Sequence, residues 1–203
     1  FDPMPGAAAE LLIISHPSFI DAIQPLADAR QAEGITSRVI DVEALYAAYT
    51  DGQPDPVAIQ MAIEYAAARL GTRYVLFVGD DNFDYKNRLG LGAVSFIPTQ
   101  YAQTTTVVRF APADSLYSDV DLDGKQDLVV SRMPARSVVE VDHMVAKALA
   151  YSGQSARGEA VFATDRTQPG LSFFAASQQM QASLGSNWSV RRVDLDAYAT
   201  SAI

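Results

Sequence analysis

The chain has 203 residues, 49% of them hydrophobic, and its formal net charge of −9 gives a sequence pI near 4.5. This length fits one large domain or one and a half small ones, and the acidity argues against nucleic acid or an anionic membrane surface as a partner. The sequence has no cysteine, which excludes disulfides, thiolate zinc sites and a cysteine nucleophile within the chain. No apolar run approaches the ~18 residues of a membrane span.

Short aliphatic runs alternate with helical patterns at the start of the chain. The predicted strands are Leu11–Ile14, Thr36–Val42 and Tyr74–Gly79. The predicted helices are Phe19–Glu33, Val42–Tyr49 and Asp55–Leu70. This order of elements predicts an α/β fold, in which a parallel sheet is flanked by helices and joined by right-handed crossovers.

A polar, turn-rich region follows over residues 80–118, with a β-like piece at Thr104–Phe110. We expect the sheet to resume with a strand at Asp127–Arg132, and an amphipathic helix to follow at Val138–Tyr151. Ser152–Gly158 is rich in Gly and Ser and is predicted to be a linker.

Beyond the linker the opening pattern returns. The predicted elements are a strand at Glu159–Thr164, a helix at Leu171–Leu184 and a strand at Trp188–Leu195. We therefore predict a first α/β subdomain at residues 1–151 and the start of a second, truncated one at residues 158–203. Chance similarity among α/β units is the alternative explanation. Because the chain begins at Phe1 and ends at Ile203 without a terminating signal, we expect it to be part of a longer polypeptide.

Four carboxylates surround a glycine in the segment Asp119–Asp127, called here the acidic loop. They belong to Asp119, Asp121, Asp123 and Asp127, and the glycine is Gly124. Alternate side chains of such a loop point to one centre, while Gly permits the sharp bend that wraps a hard cation. Calcium is the favoured ion because magnesium keeps more of its waters. We predict these four side chains and the carbonyl of Lys125 as ligands of a structural Ca²⁺.

The acidic loop matches an EF-hand only in part. The ligand positions up to the glycine fit, but Val130 stands where an EF-hand has its bidentate Glu, so Asp127 would have to serve. No helical pattern precedes the loop, and we therefore expect a structural site rather than a helix-opening sensor. The alternative is a solvated acidic turn, since Asp and Gly are common turn residues.

Other candidate residues follow the predicted strands, because sites in parallel sheets form beyond the carboxyl ends of the strands. His16 follows the first strand, but no nucleophile matches it, so a loop histidine is the favoured interpretation. Gly79–Tyr85 is a second acidic cluster, which either binds a cation or, as we favour, caps and turns the chain. The sequence has no Gly-rich nucleotide-binding loop after a strand and no GxSxG elbow. The residues alone therefore indicate no chemistry.

Several segments, taken together, resemble the gingipain-like cysteine peptidases, peptidase family C25. The segments are Tyr74–Asp81, Ile97–Thr99, Asp114–Asp119, the acidic loop and Asp127–Pro134. Their order along nearly the whole chain carries the resemblance. The family's catalytic domain has two caspase-like α/β subdomains, with a His–Cys dyad in the second. The resemblance implies that this chain is the N-terminal portion of that catalytic domain, with the catalytic His and Cys beyond Ile203.

The resemblance also implies a secreted endopeptidase, found outside the cell or at its surface. Its partners would be protein or peptide substrates and, in cis, the rest of the catalytic domain. Asp165 stands where gingipains have an acidic residue at a strand end near the catalytic His, and such an acid would orient the imidazole. A helix-cap or turn role for Asp165 is an equal alternative. The loop Thr167–Ser172 lacks the acid that selects basic residues in gingipains, which leaves a preference for Arg or Lys open.

Two other functions are compatible with the sequence. The chain is alternatively a non-catalytic, calcium-stabilised α/β module of a secreted or cell-surface protein. A weaker alternative is a response-regulator-like or nucleotide-binding domain, with its ligand at the sheet edge formed by Asp41 and Asp80.

Overall fold

A computed structural model of the protein describes residue 6 and residues 8–104, 109–151 and 158–198. The chain divides into two compact units, Phe1–Ser152 and Gly153–Ile203. Most of the predicted linker Ser152–Gly158 lies outside the described residues. Each helix among the described residues is too short or insufficiently apolar to traverse a bilayer.

The first unit is built on a four-stranded parallel sheet. In chain order the strands of this unit are β1 (Leu11–Ser15), β2 (Ser37–Asp41), β3 (Tyr74–Val78), β4 (Tyr101–Gln103), β5 (Phe110–Pro112) and β6 (Val129–Met133). The sheet has the order β2-β1-β3-β6, with every neighbouring pair parallel. β1 and β3 lie at its centre and are almost wholly buried, in keeping with the aliphatic and aromatic residues that make up β3 and all of β1 except Ser15.

Helices cover both faces of this sheet. They are α1 (Ile20–Ala32), α2 (Val42–Tyr49), α3 (Pro56–Leu70) and α4 (Val138–Tyr151). On one face α1 and α4 share an apolar cluster with Ile13 and Leu76, and on the other α2 and α3 share one with Ile14 and Phe77. This arrangement confirms the predicted fold class, an α/β protein whose parallel sheet is flanked by helices.

The region between β3 and β6 differs from the sequence prediction. Of the β-like piece predicted at Thr104–Phe110, Phe110 begins β5, whereas Thr104 and Arg109 lie outside the strands. In the antiparallel pair of β4 and β5, Tyr101 lies opposite Pro112 and Gln103 lies opposite Phe110, and residues 104–109 connect the two strands in sequence. Residues 105–108 of that connection lie outside the described part of the chain.

The second unit contains a parallel pair of strands, β7 (Glu159–Thr164) and β8 (Ser189–Asp194), with helix α5 (Phe173–Ala182) between them in sequence. Arg192 of β8 joins the three elements. Its guanidinium lies 4.5 Å from the ring centroid of Phe174 on α5 and 5.8 Å from that of Phe162 on β7. A cation stacked on two aromatic rings therefore holds the helix against the strands.

Candidate functional site

A largely buried ion pair organises the carboxyl edge of the four-stranded sheet. Arg132 of β6 donates from Nε and Nη2 to the two carboxylate oxygens of Asp114, both at 2.7 Å. Its Nη1 donates to the carbonyls of Gly79 at 2.8 Å and Ile97 at 2.7 Å. The guanidinium also lies 5.0 Å from the ring centroid of Phe77. One side chain thereby ties together three separate segments of chain at the edge where sites form in parallel sheets.

The partners of Asp114 hold it in its charged form. Burial alone would raise the pKa of Asp114, but the hydrogen bonds and charge of Arg132 and the bond from Thr99 outweigh burial and lower that pKa. The Thr99 hydroxyl donates to Asp114 at 2.5 Å. Asp114 is therefore a fixed carboxylate that serves Arg132, and we assign it no proton-transfer role.

A cavity of about 250 Å³ opens beside this ion pair. It is lined by Asp80, Asp81, Thr99, Tyr101, Pro112, Asp114 and Arg132. Asp80 accepts from Arg136 Nε at 2.6 Å, and Asp81 accepts from Ser95 Oγ at 2.7 Å and Tyr101 OH at 3.3 Å. Burial, and then the Asp81 charge, raise the pKa of Tyr101 to about 12. The acidic cluster after β3 therefore has protein partners, in line with the turn and capping role favoured from the sequence.

His16 lies at the carboxyl end of β1 and caps the short 3₁₀ helix Pro17–Phe19. Its Nδ1 accepts the N–H of Ser18 at 3.2 Å, so the ring is neutral in this arrangement. The imidazole meets the Phe96 ring edge-on, with centroids 5.0 Å apart. Burial lowers the pKa of His16, while Glu43 and Asp41 act in the opposite direction. His16 thus has the contacts of a loop histidine, as the sequence indicated.

The acidic loop brings three carboxylates together. Asp119, Asp121 and Asp127 each present an oxygen, and these oxygens lie within 4.8 Å of one another. Among the described residues this is the cluster of metal-ligating side chains with a spacing suited to an ion. Such a set of hard oxygen donors fits Ca²⁺, which accepts several carboxylates. Two of the three residues are exposed, so solvent reaches the centre of the cluster.

The remaining predicted ligands of the acidic loop, Asp123 and the carbonyl of Lys125, are not part of this group of three carboxylates. The Asp123 carboxylate accepts from the backbone N–H of Lys125 at 2.9 Å and from its ammonium at 2.5 Å. The backbone of the loop takes the left-handed conformation at Leu122, with φ 62°, and at Gly124, with φ 87°. The predicted role of Gly124 as the point of the bend agrees with this geometry.

The base of the acidic loop is closed by hydrogen bonds. The Asp127 N–H donates to the carbonyl of Ser118 at 2.8 Å, and the Val120 N–H donates to the Asp127 carboxylate at 2.9 Å. This use of Asp127 explains why β6 begins at Val129 rather than at Asp127 as predicted. The buried Tyr117 before the loop donates its hydroxyl to the carbonyl of Pro98 at 2.8 Å. The loop is therefore anchored to the core at its first end and to the sheet at its second.

Asp165 lies exposed just beyond the carboxyl end of β7 in the second unit. Its Oδ1 accepts the N–H of the adjacent Arg166 at 2.7 Å. The following residue, Thr167, donates its hydroxyl to Asp196 at 2.7 Å and its N–H at 3.1 Å. These bonds from Thr167 lower the pKa of Asp196. The segment that carries Asp165 is therefore held to the residues that follow β8.

Arg132 and Asp114 are the important pair that sequence reasoning did not connect. Both residues belong to segments on which the family resemblance rests, but the resemblance did not predict an ion pair between them. The adjacent positions of β3 and β6 in a parallel sheet would have placed Arg132 close to Gly79. The partner segment that carries Asp114 has no comparable sequence signal.

Comparison with known proteins gives distant relatives. An uncharacterized protein of Archaeoglobus fulgidus is 23% identical over 145 residues, which are 70% of this chain and 34% of that protein. The crystal structure of the Arg-specific cysteine proteinase gingipain R (RgpB) has a TM-score of 0.60 and 16% identity, covering 96% of this chain and 42% of that one. Dimeric latent PorU from Porphyromonas gingivalis has a TM-score of 0.59 and 20% identity, covering 72% of this chain and 16% of that one.

The two solved structures resemble the chain in fold, and the Archaeoglobus protein resembles it in sequence. The chain spans less than half the length of each of them. The family model of peptidase family C25 matches residues 5–202, nearly the whole sequence. The resemblance noted in the sequence is thereby confirmed, and the chain belongs to peptidase family C25.

Proposed function

We propose that the chain forms the N-terminal portion of the catalytic domain of a gingipain-like cysteine endopeptidase, whose catalytic His and Cys belong to a part of the protein outside this sequence. The observation that carries the proposal is the family match over residues 5–202 in a chain without any cysteine. A cysteine peptidase requires a thiolate nucleophile activated by a base. The nucleophile therefore has to come from elsewhere in the protein. A secreted or cell-surface location belongs to the same proposal.

The first unit acts in this proposal as scaffold. The carboxylates at the edge of its sheet are already engaged, since Asp114 pairs with Arg132, Asp80 pairs with Arg136, and Asp81 accepts two hydroxyls. Groups held in this way keep loops in position, and they have little freedom to exchange protons with a substrate. We infer that this unit contributes surface for the protein substrate.

Asp165 is the residue of this chain that we propose to orient the catalytic imidazole. It follows β7, and its Oδ2 has no hydrogen-bond partner among the residues that the structure describes. The neighbouring carboxylate of Asp194 is occupied by Thr164 and Arg192, and that of Asp196 by Thr167. Asp165 is therefore the carboxylate available at this strand end to accept an imidazole N–H and fix its tautomer.

We also propose that the acidic loop binds a structural Ca²⁺. Asp119, Asp121 and Asp127 would hold the ion, and Asp123 and the Lys125 carbonyl, predicted from the loop spacing, complete the proposed set. When bound, the ion would neutralise the converging carboxylates. Ligation would add a cross-link between the start of the loop and the residues leading into β6. The ion has no part in the proposed peptide hydrolysis.

The test of the peptidase proposal uses the full-length protein that contains this chain. We expect it to hydrolyse a fluorogenic protein substrate such as labelled casein, and we expect thiol alkylation with iodoacetamide to abolish that hydrolysis. The 203-residue chain alone should be inactive because it lacks the nucleophile. Hydrolysis that survives alkylation, or a full-length sequence that lacks both His and Cys after this chain, would overturn the proposal.

A non-catalytic, calcium-stabilised module is the second candidate. Every carboxylate that lines the cavity beside Arg132 accepts a hydrogen bond from another side chain. These bonds favour the second candidate, because they make this edge of the sheet rigid and leave no carboxylate free for catalysis. A full-length protein that gains thermal stability from calcium but hydrolyses no protein substrate would support this candidate over the peptidase.

A further inference from the structure

The loop formed by residues 82–96, called here the apolar loop, displays a cluster of large hydrophobic side chains. Phe83, Leu89, Leu91 and Val94 are 69%, 60%, 83% and 62% exposed. They surround a cavity of about 490 Å³. Single exposed apolar residues are ordinary, but a contiguous group around a concave surface marks an interaction site.

Polar side chains within the apolar loop hold its backbone in shape. The Asp84 carboxylate accepts the N–H groups of Arg88 at 2.8 Å and Leu89 at 2.9 Å. The Asn87 side-chain oxygen accepts the N–H groups of Gly92 at 3.0 Å and Ala93 at 3.1 Å. The backbone that carries the apolar side chains is therefore already held in one conformation. This lowers the conformational entropy lost when a partner binds.

The floor of the cavity is anchored in the core of the first unit. Phe96 lies 4.9 Å from Phe19 and 5.0 Å from His16, measured between ring centroids. The end of the loop also approaches β3 closely, because a Cβ placed on Gly79 would lie 2.6 Å from the Cβ of Phe96. The cavity is thus fixed to the carboxyl edge of the sheet, the edge at which sites form in this class of fold.

The charge of the apolar loop is opposite to that of the chain as a whole. Residues 82–96 contain Lys86 and Arg88 but a single acidic residue, Asp84, whereas the chain has a net charge of −9. Lys86 pairs with Asp55 at 3.5 Å. Arg88 forms no salt bridge within the part of the chain that the structure describes. Arg136 lines the cavity, and its side chain is 74% exposed although it pairs with Asp80. A partner with carboxylates beside its apolar groups complements this surface.

We propose that the apolar loop is a docking surface for an extended peptide segment in which large apolar side chains alternate with acidic ones. An apolar side chain would occupy the cavity floored by Phe96, and a neighbouring carboxylate would pair with Arg88 or Arg136. The cavity volume falls within the range of roughly 300–1,000 Å³ that is typical of ligand pockets. The assignment of this segment to a protein substrate rests on the proposed peptidase function, but the binding of the peptide does not.

The experiment measures peptide binding to the 203-residue chain by fluorescence anisotropy. The probe is a short, labelled peptide, capped at both ends, in which Leu and Phe alternate with Glu. One control peptide has Lys in place of Glu, and another has Ser in place of Leu and Phe. The variants are Arg88→Glu and the double variant Leu89→Ser, Leu91→Ser. Met180→Ser, on the second unit and 66% exposed, is the matched control for loss of an exposed apolar side chain.

We expect saturable binding of the acidic peptide, and weakening by at least about tenfold in the Leu89/Leu91 variant and in Arg88→Glu. Met180→Ser should bind as the original chain does, and both control peptides should bind at least about tenfold more weakly. No binding, or equal binding by the double variant, would overturn the proposal. So would sedimentation showing a dimer that the double variant dissociates, since the surface would then belong to self-association. None of these readouts depends on peptide hydrolysis, so a failure here is distinct from a failure of the peptidase proposal.

Discussion

Arg132 shows at the scale of one residue how this sheet edge is held. Its planar guanidinium reaches a carboxylate and two carbonyls at once, a geometry that an ammonium group cannot reproduce. Its side chain is only 12% exposed and that of Asp114 is 25% exposed. Removal of the cation would leave Asp114 with the Thr99 hydroxyl as its remaining donor and would deprive the two carbonyls of the Arg132 donor, in a poorly solvated place.

We therefore predict that Arg132→Met lowers the free energy of unfolding by about 3 kcal/mol or more, the loss expected when one partner of a buried ion pair is removed. Urea denaturation followed by circular dichroism measures this loss. Arg73→Met is the matched control, because Arg73 pairs with Glu10 at 3.3 Å with its side chain 69% exposed, and its loss should stay below about 1 kcal/mol. Equal losses in the two variants would contradict the buried role of Arg132.

His16 gives the first unit a pH-dependent stability. Burial lowers its pKa in the folded chain below the ordinary value of 6.5, against the influence of Glu43 and Asp41. The unfolded chain therefore binds the proton more readily, so the free energy of unfolding is highest above pH 6.5 and falls as the pH drops from there towards the folded pKa. Protonation at Nδ1 would also remove the acceptor for the Ser18 N–H.

The variant that tests this dependence is His16→Asn, since Asn retains a capping oxygen but does not titrate in this range. We expect the slope of unfolding free energy against pH, measured between pH 7 and 5 by urea denaturation, to become smaller in this variant. His143→Asn removes the other histidine, which is exposed on α4, and should keep the slope of the original chain. An unchanged slope in His16→Asn would show that His16 does not couple stability to pH.

At the scale of elements, local signals predicted α3 closely and failed for β4 and β5. Asp55 caps α3 by accepting the Val57 N–H at 3.0 Å, and Gly71 ends the helix with φ 72°. Both the capping Asp and the terminal Gly are recognisable in the sequence. The pairing of Tyr101 with Pro112 depends on residues distant in sequence, and neither short strand has a strong apolar pattern. Elements with their own caps or a strong apolar pattern can thus be predicted, whereas short strands without such a pattern cannot.

The acidic loop is the element with the most specific prediction from its residues, a structural calcium site. Its proposed ion would bind the folded state alone, and we therefore predict that calcium raises the melting temperature and that EDTA lowers it. At a free calcium concentration about a hundred times the dissociation constant, the gain is ~2.7 kcal/mol. Thermal unfolding followed by circular dichroism, with and without EDTA, measures the shift.

The same measurement on Asp121→Ala should show no calcium-dependent shift, because Asp121 is one of the three converging carboxylates. Asp142→Ala, an exposed acid on α4, is the matched control and should retain the shift. A melting temperature of the original chain that does not respond to calcium or EDTA would indicate that the loop is a solvated acidic turn.

At the scale of the whole molecule, the sequence predicted the architecture and the family better than the site. The parallel sheet follows from the alternation of buried strands and helices, and the family from several ordered segments. The contacts of Arg132 with Asp114 and Gly79 span 18 and 53 residues, so only a three-dimensional arrangement reveals them. The apolar loop could not be predicted from the sequence, because its exposed Leu residues have no periodic pattern.

The proposed role of Asp165 concerns the complete peptidase, because its effect needs the catalytic His. In the full-length protein we predict that Asp165→Asn lowers kcat by a factor of about 10² or more, as expected when a base loses its orientation. KM should change little, since Asp165 would contact the imidazole and not the substrate. Asp142→Asn is the control for loss of an exposed carboxylate. An unchanged kcat in Asp165→Asn would contradict this role. Asp165 would then be a turn residue that accepts the Arg166 N–H, which is the alternative interpretation.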